Sequence, residues 1–335
     1  MWIELYRTAV EFQRLAPWRW MDDSHIFGLN DRHGVRLASV IGNLGEVLGL
    51  AVYLGSAGIN YLMRLLRREI LPEDPDITWM QNSVLLDFVR RGSLRAEDRE
   101  LQREISFQPA PGSPRRFPQF YSYRPGYAPW FLDAGEAQMM VDTLRRAICF
   151  AGLVRNEPGA FAFKGQQKIP FFPAGEDQPE NLAAFTWHQV IPEPPRVDPP
   201  VAWAKGRLAG LCGLPQRRQC IWEVDAFSSP MIIDEPPRPY YAKVGLAADA
   251  QDGRIYGYHA GELHDTLADT AALTLEKCLA DHGFRPGTIR VGSRSMAMAL
   301  ASLCTSLRIK VVECARLPAI LEARASLEAF DAEQG

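Results

Sequence analysis

A chain of 335 residues, 47% hydrophobic and 23% charged, holds enough apolar material for two cores of ordinary domain size. Its net charge of −3 comes without the basic domain or stripe that marks a nucleic-acid binder, so composition lends nucleic acid no support as a partner. None of the six cysteines forms a C-x-x-C pair, no apolar run reaches the ~18 residues of a membrane span, and a cytoplasmic protein is expected.

The first segment, residues 2–15, predicts a helix with Leu5, Ala9 and Phe12 on one stripe and Pro17 ending it. Its charges, Glu4, Arg7, Glu11 and Arg14, interrupt any signal-peptide core. Strands are expected at 26–29, 35–41 and 47–54, joined by turns at 30–34 and 42–45. Gly55-Ser56-Ala57-Gly58 then opens a helix over 59–70. A strand at 84–89, a charged helix at 94–105 capped by Ser93, and a strand at 119–123 follow. Asp133 and Glu136 form a capping-box pair ahead of a helix over 137–150. Short strands are read at 160–163 and 185–190, and the whole of 1–190 is an α+β domain. Only six lysines occur, all from Lys164 onward, which excludes a P-loop or Schiff-base lysine from the first half.

Prolines crowd residues 192–200, so 191–218 reads as a stiff linker with a connecting segment. Beyond it, 219–335 predicts strands at 219–227, 240–248 and 254–261, then helix 266–282 ended by Gly283. Strand 288–291, helix 295–307, strand 309–312 and a helix from Pro318 complete an α/β domain of order β-β-β-α-β-α-β-α. Cys278 and Cys304 fall on apolar helix faces and read as reduced core thiols, and Cys314 follows a strand.

That order resembles the ribonuclease H-like fold of ribonuclease H and of transposase and integrase cores. The stretch from Val244 to Asp249, followed by Gly253 to Gly257, is similar to the hairpin of integrase cores; Arg285 to Val291 is similar to the approach to their second catalytic acid. The resemblance implies carboxylates gathered around Mg²⁺ or Mn²⁺, with Asp225 on the opening strand, Glu322 on the last helix and Asp249 as a further catalytic or metal-ligating candidate. Gly292-Ser293 stands where the second acid belongs. The chain also resembles a group of bacterial proteins whose domains carry no assigned activity. Leu15-Ala16-Pro17-Trp18-Arg19-Trp20-Met21, the stretch from Ala51 to Gly58, Trp222-Glu223-Val224-Asp225, Arg238-Pro239-Tyr240 and Leu317-Pro318-Ala319 carry that likeness.

Three further features are candidate sites. Trp18, Trp20, Tyr123, Arg124, Tyr127 and Trp130 lie in polar, proline-bearing segments and offer a recognition surface for a protein or small molecule, although aromatics that plug the core where loops cross it are the favoured reading. Gly55, Ser56 and Gly58, at a strand-to-helix turn, expose N–H groups able to hold an anion, although a tight turn with a serine cap is the favoured reading. Arginines between 64 and 103 interleave with acids and are expected to form solvated pairs at helical spacing. His259 and His264 are five apart, not at the i, i+4 spacing of a helical zinc site, and read as surface histidines. The leading expectation is a binding or regulatory protein with no cofactor; the alternative is a divalent-metal nuclease using Asp225, Asp249 and Glu322.

Overall fold

The computed structural model describes residues 1–42, 45, 47–70, 80–108, 116–157, 161, 163, 168–173, 184–191, 201 and 205–334, the side chains of 205–207 and 328–334 excepted. The chain divides into two compact units, Met1–Glu193 and Pro194–Gly335. The proline-rich stretch 192–200 lies outside the described residues, as do parts of the expected turn at 42–45 and the expected strand at 160–163.

The first unit is built on a seven-stranded sheet of order β5-β4-β3-β2-β1-β6-β7. Strands β1 (Ile26–Asp31), β2 (Gly34–Ile41), β3 (Gly49–Leu54), β4 (Ser83–Arg90) and β5 (Arg116–Tyr123) form an antiparallel meander. A strand not expected from the sequence, β6 (Ile169–Phe171), lies parallel to β1, and β7 (Thr186–His188) pairs with it. Helices α1 (Trp2–Leu15) and α4 (Ala134–Asn156) cover one face, burying Leu5, Phe12, Met140 and Leu144 against Phe27, Val40, Val52 and Leu86. Helix α2 (Gly55–Leu66) packs Tyr61, Leu62 and Met63 on the other face, against Ile26, Leu37 and Tyr53. Because both faces are covered, burial runs unbroken through Arg36–Val40 of β2 and Gly49–Tyr53 of β3 instead of alternating with period 2.

Local chemistry sets the helix ends here. The capping box of Asp133 and Glu136 starts α4. By contrast, Ser93 does not cap: it sits in a 3₁₀ turn, Arg91–Ser93, and α3 (Ala96–Glu104) begins after Arg95 with no side-chain cap.

The second unit is a five-stranded sheet of order β10-β9-β8-β11-β12. Strands β8 (Gln216–Ile233), β9 (Tyr240–Asp249) and β10 (Ile255–Gly261) are antiparallel, while β11 (Arg285–Val291) and β12 (Lys310–Glu313) run parallel to β8. Helix α5 (Lys205–Cys212) lies inside the stretch expected to be a connecting segment. Strand β8 also runs six residues past Phe227, because a register shift between Ser228 and Ile232 absorbs Pro230 without ending the pairing. Helices α6 (Leu267–His282) and α7 (Arg294–Ser306) cover one face and bury Trp222, Val224, Leu275, Leu279, Leu300 and Leu303. Helix α8 (Pro318–Gln334) covers part of the other face with a smaller core of Phe227, Val244, Leu246, Leu317 and Ile320.

Thr266 and Asp269 form a capping box on α6, and Gly283 ends it with a φ of 65°, a left-handed conformation in which glycine avoids a Cβ clash. Cys278 and Cys304 are buried in this unit, and burial pushes their thiols up to about 11 and about 12. Among the described residues no helix is long and apolar enough to cross a membrane.

Candidate functional site

The three acids implied by the nuclease resemblance do not converge. Along β8, Trp222 and Val224 point into the core under α6 and α7, so Glu223, Asp225 and Phe227 point to the α8 face. Asp225 Oδ1 accepts the Ala226 N–H at 2.9 Å. Its Oδ2 lies against Gly292, 2.6 Å from where a Cβ would stand there. Asp249 sits directly opposite Trp222, and therefore on the other face. There it accepts the Tyr256 hydroxyl and the Gln251 N–H, each at 2.8 Å, and closes the β9–β10 turn. Burial pushes its carboxyl up, but these hydrogen bonds prevail and hold it below the usual carboxylate range. The odd spacing between register positions 222 and 225 puts the two aspartates on opposite sides of the sheet. Glu322 is exposed on α8. Among the described residues, no three His, Cys, Asp or Glu side chains are placed to share a metal ion.

Glu223, which the sequence reading passed over as a site residue, has a structural task. It is buried, and its Oε2 accepts the N–H groups of Ala319 at 2.9 Å and Ile320 at 3.3 Å in the first turn of α8. A charged residue between Trp222 and Val224, in an otherwise apolar strand segment, was the available signal. Glu223→Ala orphans those buried donors and is expected to lower the stability of the second unit by about 1–3 kcal/mol in urea unfolding.

The six aromatic-surface residues divide into two groups. Trp18 packs edge-on to Phe12 at 6.0 Å and against Phe88 at 5.6 Å. Trp20 donates its indole N–H to the Ala151 carbonyl at 3.2 Å and lies under the Arg155 guanidinium. Tyr123, Arg124, Tyr127 and Trp130 instead belong to the strand end and loop leading to the start of α4. Trp130 ladders with Ser122, whose hydroxyl donates to Glu136 at 2.8 Å, and Arg124 pairs with both Asp133 and Glu136. Glu136 and Ala151 are 15 residues apart on α4, about 22 Å at 1.5 Å per residue. The tryptophans brace the core edge at one end of this helix, the other four residues surround its opposite end, and no single surface unites them.

At the Gly55-Ser56-Ala57-Gly58 turn the helix starts from Leu54 with no side-chain cap, so Ser56 does not cap it and is exposed. Gly58 is there for close packing, since a Cβ on it would collide with the Asn82 carbonyl oxygen.

A large concave apolar feature lies elsewhere, on the α8 face of the second sheet. Helix α8 packs over β8 and β9, leaving β10 beside an open trough. In β10, Ile255 faces Ala248 and Gly257 faces Ala247, so Tyr256 is the extra residue of a bulge. The bulge turns Tyr256 into the core against Trp222, at 4.4 Å between ring centroids, while Ile255 and Tyr258 both face the trough. Met231, Val244, Leu246 and Leu327 complete an apolar lining around about 830 Å³, with Ser326 and Glu322 as polar groups. Ile255 is 44% and Tyr258 63% exposed, unusual for large apolar side chains aligned on one strand.

These features define a mixed α/β protein of two units, each with its own sheet, the second carrying an apolar groove. Residues 2–171 match the family described as "Domain of unknown function (DUF7309)", and residues 207–328 match "Domain of unknown function (DUF6930)". The first match spans just over half of the 335 residues, and the chain belongs to the DUF7309 family. No curated protein matches it.

Proposed function

We propose that this chain is a non-catalytic binding protein whose second unit holds an apolar small molecule in the groove between α8 and strands β8–β10. The groove carries the reading. At about 830 Å³ it falls within the usual range for small-molecule sites, and its lining is apolar with a few polar groups to orient a ligand. The second unit is proposed to be a ribonuclease H-like domain. The strand order β10-β9-β8-β11-β12, antiparallel in the first three strands and parallel in the last two, supports that assignment. Separation of Asp225 and Asp249 across the sheet favours a binding role over phosphodiester chemistry, because paired metals about 3.5–4 Å apart need carboxylates on one side. All six cysteines are free thiols, which supports work in the reducing cytoplasm.

The test is titration of the neutral fluorophore N-phenyl-1-naphthylamine. Wild type is expected to bind it saturably at one site. Ala323→Trp, which fills the trough from the surface of α8, is expected to weaken that binding at least tenfold with the fold unchanged by circular dichroism. Equal binding by the variant would sink the proposal.

A further inference from the structure

In residues 90–104 arginines alternate with acids, and helical spacing predicts mutual neutralisation. The structure neutralises one of them. Arg95 donates to Asp98 and to the Phe120 carbonyl, each at 2.6 Å, and its guanidinium lies over the rings of Tyr121 and Phe131. Arg91, Arg99 and Arg103 have no carboxylate partner among the described residues; the acid pairs of this region are Arg95–Asp98, Arg64–Glu69 and Arg67–Glu69. Those three arginines line one cavity of about 550 Å³, enclosed by the Arg91–Ser93 turn, α3 and β5. Arg99 and Arg103 stand one turn apart on α3, so their side chains share a face, and Arg91 approaches from the preceding turn. Leu94 and Gln102 are buried, and the Gln102 amide donates to the Pro118 carbonyl at 3.0 Å, tying α3 to β5. Phe107 and Phe117 are half-buried and supply aromatic walls.

Three like charges around one concave space repel one another, and a polyanion relieves that repulsion. Guanidinium forks match phosphate oxygens in pairs, and the aromatic walls offer a planar ring a surface to stack on. The volume fits a small molecule. We propose that this cavity binds an organic phosphate carrying two or more negative charges, with Arg91, Arg99 and Arg103 on the phosphates and Phe117 against a planar ring.

The experiment is isothermal titration calorimetry of the full chain with ATP, pyrophosphate and a fifteen-residue oligothymidylate as probes. ATP is expected to bind one-to-one. Arg99→Glu and Arg103→Glu, both at exposed positions, are expected to weaken it at least tenfold, while Lys310→Glu in the second unit leaves it unchanged. Pyrophosphate is expected to bind more weakly than ATP because it lacks the ring. Absence of ATP binding, or full binding by Arg99→Glu, overturns the proposal. Equal affinity for pyrophosphate overturns the assignment of Phe117, and tighter binding of the oligonucleotide overturns the small-molecule class in favour of a nucleic-acid backbone.

Discussion

Asp31→Ala is expected to destabilise the first unit by about 3 kcal/mol, the low end of the range for removing one partner of a buried ion pair, because Arg36 is fully buried but Asp31 is partly exposed. Arg36, on the second strand, is fully buried, and its guanidinium spends its donors on a small set of acceptors. Nη1 donates to Asp31 Oδ1 at 2.7 Å, Nη2 to Asp31 Oδ2 at 2.9 Å, and Nε to the Thr143 hydroxyl at 3.1 Å. Arg146 adds a contact to Asp31 Oδ2 at 3.4 Å. The pair clamps the β1–β2 hairpin onto α4, and without the carboxylate a cation stays buried and uncompensated.

The same pair predicts an acid transition. Burial pushes the Asp31 carboxyl up, but the Arg36 hydrogen bonds, the His33 N–H and the charges of Arg36 and Arg146 outweigh it and hold the group at about 2. A carboxyl depressed in the folded state stabilises fully above its unfolded value near 4, and that contribution is lost as pH falls from about 4 to about 2. Urea unfolding at pH 7 and pH 3 checks both statements. The wild type should lose more stability than Asp31→Ala over that interval, and equal losses would contradict the assignment.

The second large effect is expected at Trp222, the bulkiest fully buried side chain among the described residues. Its indole packs against the tilted Tyr256 ring and meets Phe284 edge-on at 5.5 Å. Tyr256 in turn is tied to Asp249, so truncation at Trp222 also loosens the β9–β10 hairpin. Trp222→Ala is expected to cost about 3–5 kcal/mol, the usual range for emptying a large aromatic site. Trp222→Phe should cost much less, since the ring contacts largely survive and the indole N–H has no hydrogen-bond partner among the described residues. Calorimetry of the full chain checks this: the alanine variant lowers the second unit's melting and leaves the first unit's in place.

The candidate sites show where reading by residue type ran out. Arginines and acids at helical spacing looked self-neutralising, yet Arg99 and Arg103 line a cavity and form no ion pair with an acid among the described residues. The apolar trough went unseen because its walls come from strand β8 near residue 231, strand β10 near 255 and helix α8 near 327. No local window contains all three. Asp225 and Asp249 looked like partners because the ribonuclease H-like resemblance implies gathered carboxylates, and the pairing register separates them.

The sequence by itself determined what is local. The helix at Trp2–Leu15, the capping boxes at Asp133 and Thr266, the glycine stop at Gly283 and the alternation of strands and helices after residue 216 all depend on neighbours within a few positions. Hydrogen bonds and apolar periodicity over one or two turns suffice to set them. The tertiary structure alone decided what depends on distant partners: β6 joining β1, Glu223 reaching the start of α8, the face each aspartate occupies, and which side chains stay open to a ligand. In a sheet a one-residue change of register reverses the face of a whole strand, and that register is chosen by the packing of all the layers together.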